Sequence, residues 1–440
     1  MKVIVRYLAL ILILFMPLTI AGQTAKWREM YKVKKKDTVY GIAKKYGLTI
    51  EDLRNANPDM KLEGYALKKG DYIFIPFAST AQTSASAVNP KALRVGVMLP
   101  LHDADGDGKR MTEYYRGLLL AVDELRGEGV STDIHTWNVA ASDNISTFLA
   151  DPAVKSCSII FGPLYTPQVR PLADFCHSNG IKLVIPFSIS SNEVLTNPSV
   201  FQVYETPDQF NNLSIEAFLQ RFKGAHAIFI DCNDTTSRKG IFTLGLRRRL
   251  EQAGGRYSIT NLTSSDKMFA KCFSHSQNNV VVLNTGRSPE LNTALAKLNK
   301  LTASVPGLKV SLFGYTEWLI YTKVYADLFY KYDTYIPTAA FYNAFSSRTQ
   351  AVEAQYLRWF GTGMMYALPR FALTGYDHAQ FFLRGLLRQG KSFTGARNES
   401  TWQPLQTPLN FKRMGNGGMQ NTSFLLIHYK NDRTIESISY

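Results

Sequence analysis

The 440 residues predict an α/β protein in two parts: a small βααβ unit, then a larger two-lobed domain of parallel sheets flanked by helices. Three features carry that prediction. Within residues 31–76, apolar residues recur at helical spacing between two short β-rich runs. From Leu93 onward, near-continuous apolar, β-branched runs alternate with amphipathic stretches, the pattern of strands buried on both faces of a parallel sheet. The alternation lasts for about 350 residues, more than one sheet holds, so it divides into two lobes.

The chain opens with Lys2 and Arg6 before an apolar run over residues 7–20, which is shorter than the roughly 20 residues a membrane-spanning helix needs. Ala21 and Gly22 follow, and residues 1–22 read as a cleavable export signal. No cysteine stands at the cleavage point, so no lipid anchor is expected, and no later segment is apolar enough to span a membrane. The expected location is periplasmic and associated with the cell wall.

The small unit begins at Tyr31, Lys32 and Val33. Asp37 is placed to cap a helix whose Val39, Ile42, Ala43 and Tyr46 share one face, and Gly47 ends it. Thr49, with Asp52 three residues on, opens a second helix; Ile50, Leu53 and Ala56 form its apolar side, and Pro58 stops it. The run Gly70, Asp71, Tyr72, Ile73, Phe74, Ile75 returns as the second strand. These residues and spacings resemble a LysM module, which we place at residues 28–77. The resemblance implies a glycan containing N-acetylglucosamine, chiefly peptidoglycan or chitin, lying in a shallow groove between two loops. The loops map onto Asp37, Thr38, Val39 and Tyr40, and onto Asn57, Pro58, Asp59 and Met60. Lys36 stands where most members have glycine, so the first loop must turn without a residue that takes positive φ freely.

The formal charge is +15. Export argues against a nucleic-acid partner, and no basic block has the interleaved aromatics of single-strand binders. Lys32, Lys34, Lys35, Lys36, Lys44, Lys45, Lys68 and Lys69 concentrate positive charge in the small unit. Stem-peptide carboxylates of a wall suit that charge, and a solvated face explains it equally well.

Residues 77–91 are rich in Ala, Ser, Thr and Gln, and a flexible linker is placed at residues 78–92. The domain at 93–440 then begins with a strand at Leu93 and a helix carrying Tyr115, Leu118, Leu119, Val122 and Leu125. Phe161-Gly162-Pro163, Pro186-Phe187-Ser188-Ile189-Ser190-Ser191 and Val200-Phe201-Gln202-Val203-Tyr204 resemble the first lobe of type I periplasmic binding proteins, the group with the branched-chain amino-acid receptors. Thr374-Gly375-Tyr376-Asp377-His378-Ala379 resembles the helix that returns to that lobe. Pro408-Leu409-Asn410-Phe411, with the glycines from Gly415 to Gly418, resembles the closing hairpin. The expected lobes are 93–207 with 340–405, and 208–339 with 406–440. Such folds bind ligands outside the carboxyl ends of the strands. The cleft candidates are therefore His102, Asp103, Tyr165, Thr166, Ser188, Ser190, Tyr204 and Tyr315. In the amino-acid receptors an acidic residue holds the ligand amine, and no residue here matches it. The same fold occurs in lipoprotein activators of peptidoglycan synthases.

Other motifs fail on context. Residues 385–392 satisfy the Walker A pattern but continue a helix instead of following a strand, and Gly390 reads as its stop. Asp103-Ala104-Asp105-Gly106-Asp107-Gly108 imitates a calcium loop, yet position twelve is Tyr114, so it reads as a mobile acidic loop at the cleft mouth. No His-Glu-x-x-His, Gly-x-Ser-x-Gly or Cys-x-x-Cys occurs. No cofactor or metal is expected. Most of the four cysteines read as buried thiols, with one bridge, Cys157 to Cys176, compatible with their places at strand edges. The sequence thus points to a wall-bound, non-enzymatic protein that docks onto or regulates an envelope protein. The alternatives are a receptor for an amino acid or wall fragment, and a wall hydrolase with an unrecognised carboxylate pair.

Overall fold

A computed structural model describes residues 27–35, 37–46, 48, 50–61, 65–76 and 92–440. The expected export signal, residues 78–91 of the linker, and Lys36, Gly47 and Thr49 lie outside the described residues.

In the small unit, β1 (Trp27–Lys32) runs antiparallel to β2 (Tyr72–Pro76), with Tyr31 opposite Ile73. Helices Val39–Tyr46 and Ile50–Ala56 and a 3-10 turn, Pro58–Lys61, lie between them. Side chains alternate along a strand, so Tyr31, Val33, Ile73 and Ile75 point under the helices and pack with Ile42, Ala43, Leu53 and Met60. The cap falls one residue later than the sequence suggests. Thr38 Oγ1 accepts from the Gly41 amide at 3.0 Å, while the Asp37 carboxylate accepts from the Lys34 amide at 2.7 Å and closes the preceding turn.

The first lobe is built on β3 (Leu93–Leu99), β4 (Thr132–Asn138), β5 (Ile159–Phe161), β6 (Lys182–Ile185) and β7 (Val200–Gln202), all parallel. The chain then crosses to the second lobe. There β8 (His226–Asp231), β9 (Tyr257–Asn261), β10 (Asn279–Leu283) and β11 (Val310–Leu312) form a parallel sheet ordered β11-β10-β8-β9. β12 (Thr334–Thr338) continues it through a bridge between Phe313 and Tyr335.

On its return, the chain lays down β13 (Phe411–Arg413) and β14 (Met419–Asn421), and β15 (Leu425–Tyr429) and β16 (Ile435–Ser439) end it. The expected division of the lobes needs correction here. β13 and β14 complete the first-lobe sheet, ordered β13-β14-β7-β6-β5-β3-β4, and only β15 and β16 join β12 in the second. Three crossovers, at 203–206, 339–346 and 422–424, therefore connect the lobes.

Helices Gly106–Gly127 and Phe371–Gln389 cross backbone to backbone in the first lobe. A Cβ at Gly117 would fall 1.7 Å from the Ala372 carbonyl oxygen, and one at Gly375 would fall 1.9 Å from that of Tyr114. Residues 385–389 end the second of these helices, which stops at Gly390 with φ 55°, and Gly390–Ser392 form a 3-10 turn. All four cysteines are free thiols, and Cys157 and Cys176 share one buried apolar cluster. Among the described residues, no helix is long and apolar enough to cross a membrane.

Candidate functional site

The first groove loop is partly spent on its own geometry. Asp37 also accepts from the Tyr31 hydroxyl at 2.9 Å, and Val39 packs on the core of the small unit. Thr38 and Tyr40 face solvent, the Tyr40 ring being 62% exposed. In the second loop, Asn57 is buried: its Nδ2 donates to the Leu53 and Phe74 carbonyls at 2.7 and 2.9 Å, and its Oδ1 accepts from the Phe74 amide at 2.7 Å. Asn57 thereby ties the loop to β2, and Met60 fills the core behind it. Pro58 and Asp59 are half-buried. Burial, with Asp71 close by, pushes the Asp59 carboxyl up to about 7. Thr38 and Tyr40 are the residues of the two loops whose side chains are exposed.

At the carboxyl ends of the first-lobe strands, Thr166 opens helix Thr166–Asn179 and its hydroxyl lies 3.1 Å from that of buried Ser188. Ser190 is exposed and Tyr165 half-buried. Burial and the carboxylates of Asp107 and Asp105 push the Tyr165 hydroxyl up to about 12. These four residues can offer hydroxyls to a ligand. The other four candidates are engaged elsewhere. Tyr204 is half-buried against the first-lobe core and stacks on Phe187 with ring centroids 5.9 Å apart, leaving its hydroxyl without a hydrogen-bond partner. Tyr315 lies in the second-lobe core and donates to the Leu283 carbonyl at 2.5 Å. His102 and Asp103 bond to the small unit: Asp71 bridges to His102, and the Asp103 amide donates to the Gly70 carbonyl at 3.1 Å.

The acidic stretch after β3 is tied down instead of being free. Asp103 pairs with Lys32 and Lys109, Asp107 pairs with Arg110, and Asp105 caps the following helix by accepting from the Gly108 amide at 2.8 Å. Each carboxylate already has a local partner.

Sequence reading missed Glu205, which sits in the first crossover. It is 7% exposed, its Oε1 has no hydrogen-bond partner, and burial pushes the carboxyl up to about 8. Its one signal in the sequence is a charged residue between the apolar run ending at Val203 and the Thr206 capping box of the next helix. The second-lobe acids at the equivalent strand ends are satisfied internally. Asp234 accepts from the hydroxyls of Thr236 and Thr285, both at 2.7 Å, which pushes its carboxyl down to about 2, and Asp231 accepts from Asn284 at 2.9 Å.

Residues 31–76 match the family model of the LysM domain. Comparison with curated proteins finds no match. Among solved structures, a Rhodospirillum rubrum protein provisionally described as a branched-chain amino acid ABC transporter is 15% identical, with a TM-score of 0.52, over 79% of this chain and 100% of its own. Full-length LpoA from Haemophilus influenzae is 15% identical at a TM-score of 0.49, over 79% of this chain and 59% of its own. At these identities the likeness is one of fold. The chain joins a LysM domain to a domain with the type I periplasmic binding protein fold.

Proposed function

We propose that this is an exported protein whose LysM module binds peptidoglycan and whose two-lobed domain, without enzymatic activity, docks onto an envelope protein and regulates it. The LysM match at residues 31–76 carries the wall-binding half. The exposed lysines around it, among them Lys34, Lys35, Lys68 and Lys69, favour a polymer bearing carboxylates. The full chain is expected to sediment with purified sacculi at low salt. Tyr40→Ala should reduce the bound fraction several-fold without changing the melting temperature. A chain that stays in the supernatant at low salt, beside a control glycan binder that pellets, would refute this half.

The docking half is supported by the engagement of Tyr315, His102 and Asp103 away from a cleft ligand, and by exposed apolar side chains near the lobe junction. Phe345, Tyr366, Val324 and Ile320 are 88%, 79%, 75% and 62% exposed. The Lys323 ammonium lies 6.0 Å from the Tyr366 ring, which brings the second-lobe helix Thr322–Lys331 beside this segment of the first lobe.

A small-molecule receptor is the second reading, and the Thr166–Ser188 hydroxyl pair with the unpartnered Glu205 Oε1 favours it. The readings separate in a thermal-shift screen of amino acids and muropeptides. A ligand at a hundred times its Kd adds about 2.7 kcal/mol of stability. The docking reading expects no saturable shift. A shift abolished by Ser188→Ala together with Ser190→Ala would establish the receptor.

A further inference from the structure

The sheet of the LysM module buries one face under its own helices, and its other face is covered too. Phe74 points away from the module core, is 5% exposed and belongs to the apolar core of the first lobe, its ring centroid 5.3 Å from that of Tyr115 in an edge-on contact. Met30 packs into the same core, and the Arg116 guanidinium lies 5.7 Å from the ring of Tyr72. A few residues away, the turn at Gly70 and Asp71 bonds in two directions. It is tied back to Val33 at the end of β1 by the Gly70 amide at 2.9 Å and the Asp71 carbonyl at 2.8 Å, and forward to Asp103 and His102. Behind His102 there is no slack: a Cβ at Gly108 would fall 2.3 Å from its Nδ1, and the Leu101 amide donates to Asn138 Oδ1 at 2.7 Å.

We propose that the LysM module is a structural clamp on the cleft-mouth loop at residues 101–105, and not an anchor swinging free of the binding-protein domain. Phe74 seats the module in the first lobe. The turn at Gly70 and Asp71, with the Lys32–Asp103 ion pair, then fixes the loop from the solvent side while Asn138 and the following helix fix it from behind. Any force or ligand that holds the module therefore acts on the mouth of the cleft, and a ligand that draws the loop inward must loosen the module by the same coupling. This inference rests on the seam alone and is independent of what the module binds.

The test is hydrogen exchange on the full chain with Phe74→Ser. Amides of residues 101–108 should exchange at least tenfold faster than in the parent, while those of β10 in the other lobe stay unchanged. Unchanged exchange at 101–108 overturns the clamp. If the module's own amides also lose protection, showing that it has unfolded, Lys32→Glu decides the matter. A few-fold rise at 101–108 that adding Asp103→Lys reverses supports the clamp, and no rise in Lys32→Glu overturns it.

Discussion

Asp377→Ala is expected to cost the chain about 3–5 kcal/mol and to melt the first lobe ahead of the second. The carboxylate is fully buried within helix Phe371–Gln389 and organises the strap that follows. Oδ1 accepts from Trp402 Nε1 at 3.1 Å and the Leu405 amide at 2.7 Å; Oδ2 accepts from the Gln406 and Thr407 amides at 2.8 and 3.1 Å. Burial pushes the carboxyl up to about 6, and these four donors pull against that rise. Alanine would leave four donors facing a hole, each costing roughly 1–3 kcal/mol and sharing part of that loss. Asp377→Asn should recover only part of it, because the new amide N–H groups would meet N–H donors on one side. Urea denaturation of the two variants measures this directly. A loss below about 1 kcal/mol would mean that water replaces the carboxylate, and that the strap is not held from this point.

Glu205→Gln is expected to change how stability responds to pH. In the fold, the Glu205 carboxyl titrates at about 8 instead of its ordinary 4.5, because burial penalises the charged form. Between those two values the unfolded chain has released the proton that the folded chain keeps. The folded state therefore binds more protons there, and stability falls as pH rises from about 4.5 to about 8, then levels. Glutamine carries no such proton. The variant should match the parent near pH 4 and exceed it at pH 9 by up to roughly 5 kcal/mol, at about 1.36 kcal/mol per pK unit. Denaturant midpoints at the two pH values decide it. Parallel pH curves for parent and variant would mean that the carboxyl titrates in the fold as it does in the unfolded chain.

What could be read in the sequence, and what could not, follows the range of the interactions. The LysM module was legible almost throughout, since its helices, caps and strand alternation are set by neighbours within a few residues. Even there the cap moved from Asp37 to Thr38, because the Asp37 carboxylate is drawn to Tyr31 and Lys34. The strands of the two lobes were legible as apolar runs. Their ligand-facing residues were not: Tyr204 and Tyr315 follow strands as cleft residues should, yet Tyr315 turns into the second-lobe core and Tyr204 packs half-buried against the first. A residue's place in the order of elements gives its distance from a strand end but not the direction of its side chain.

By itself, then, the sequence determined the LysM module, the alternation of strands and helices, and the helix stop at Gly390. Each depends on local spacing and on backbone preference. The tertiary structure alone decided which lobe receives the Phe411–Asn421 hairpin, where Glu205 is buried, and that Phe74 belongs to the first lobe. A short hairpin has the same local pattern whichever sheet it joins, and an outward-facing phenylalanine on a two-stranded sheet is equally compatible with solvent, a partner or the next domain. Those outcomes are fixed by which surfaces bury the most apolar area together, a quantity that exists only once residues distant in the chain have met.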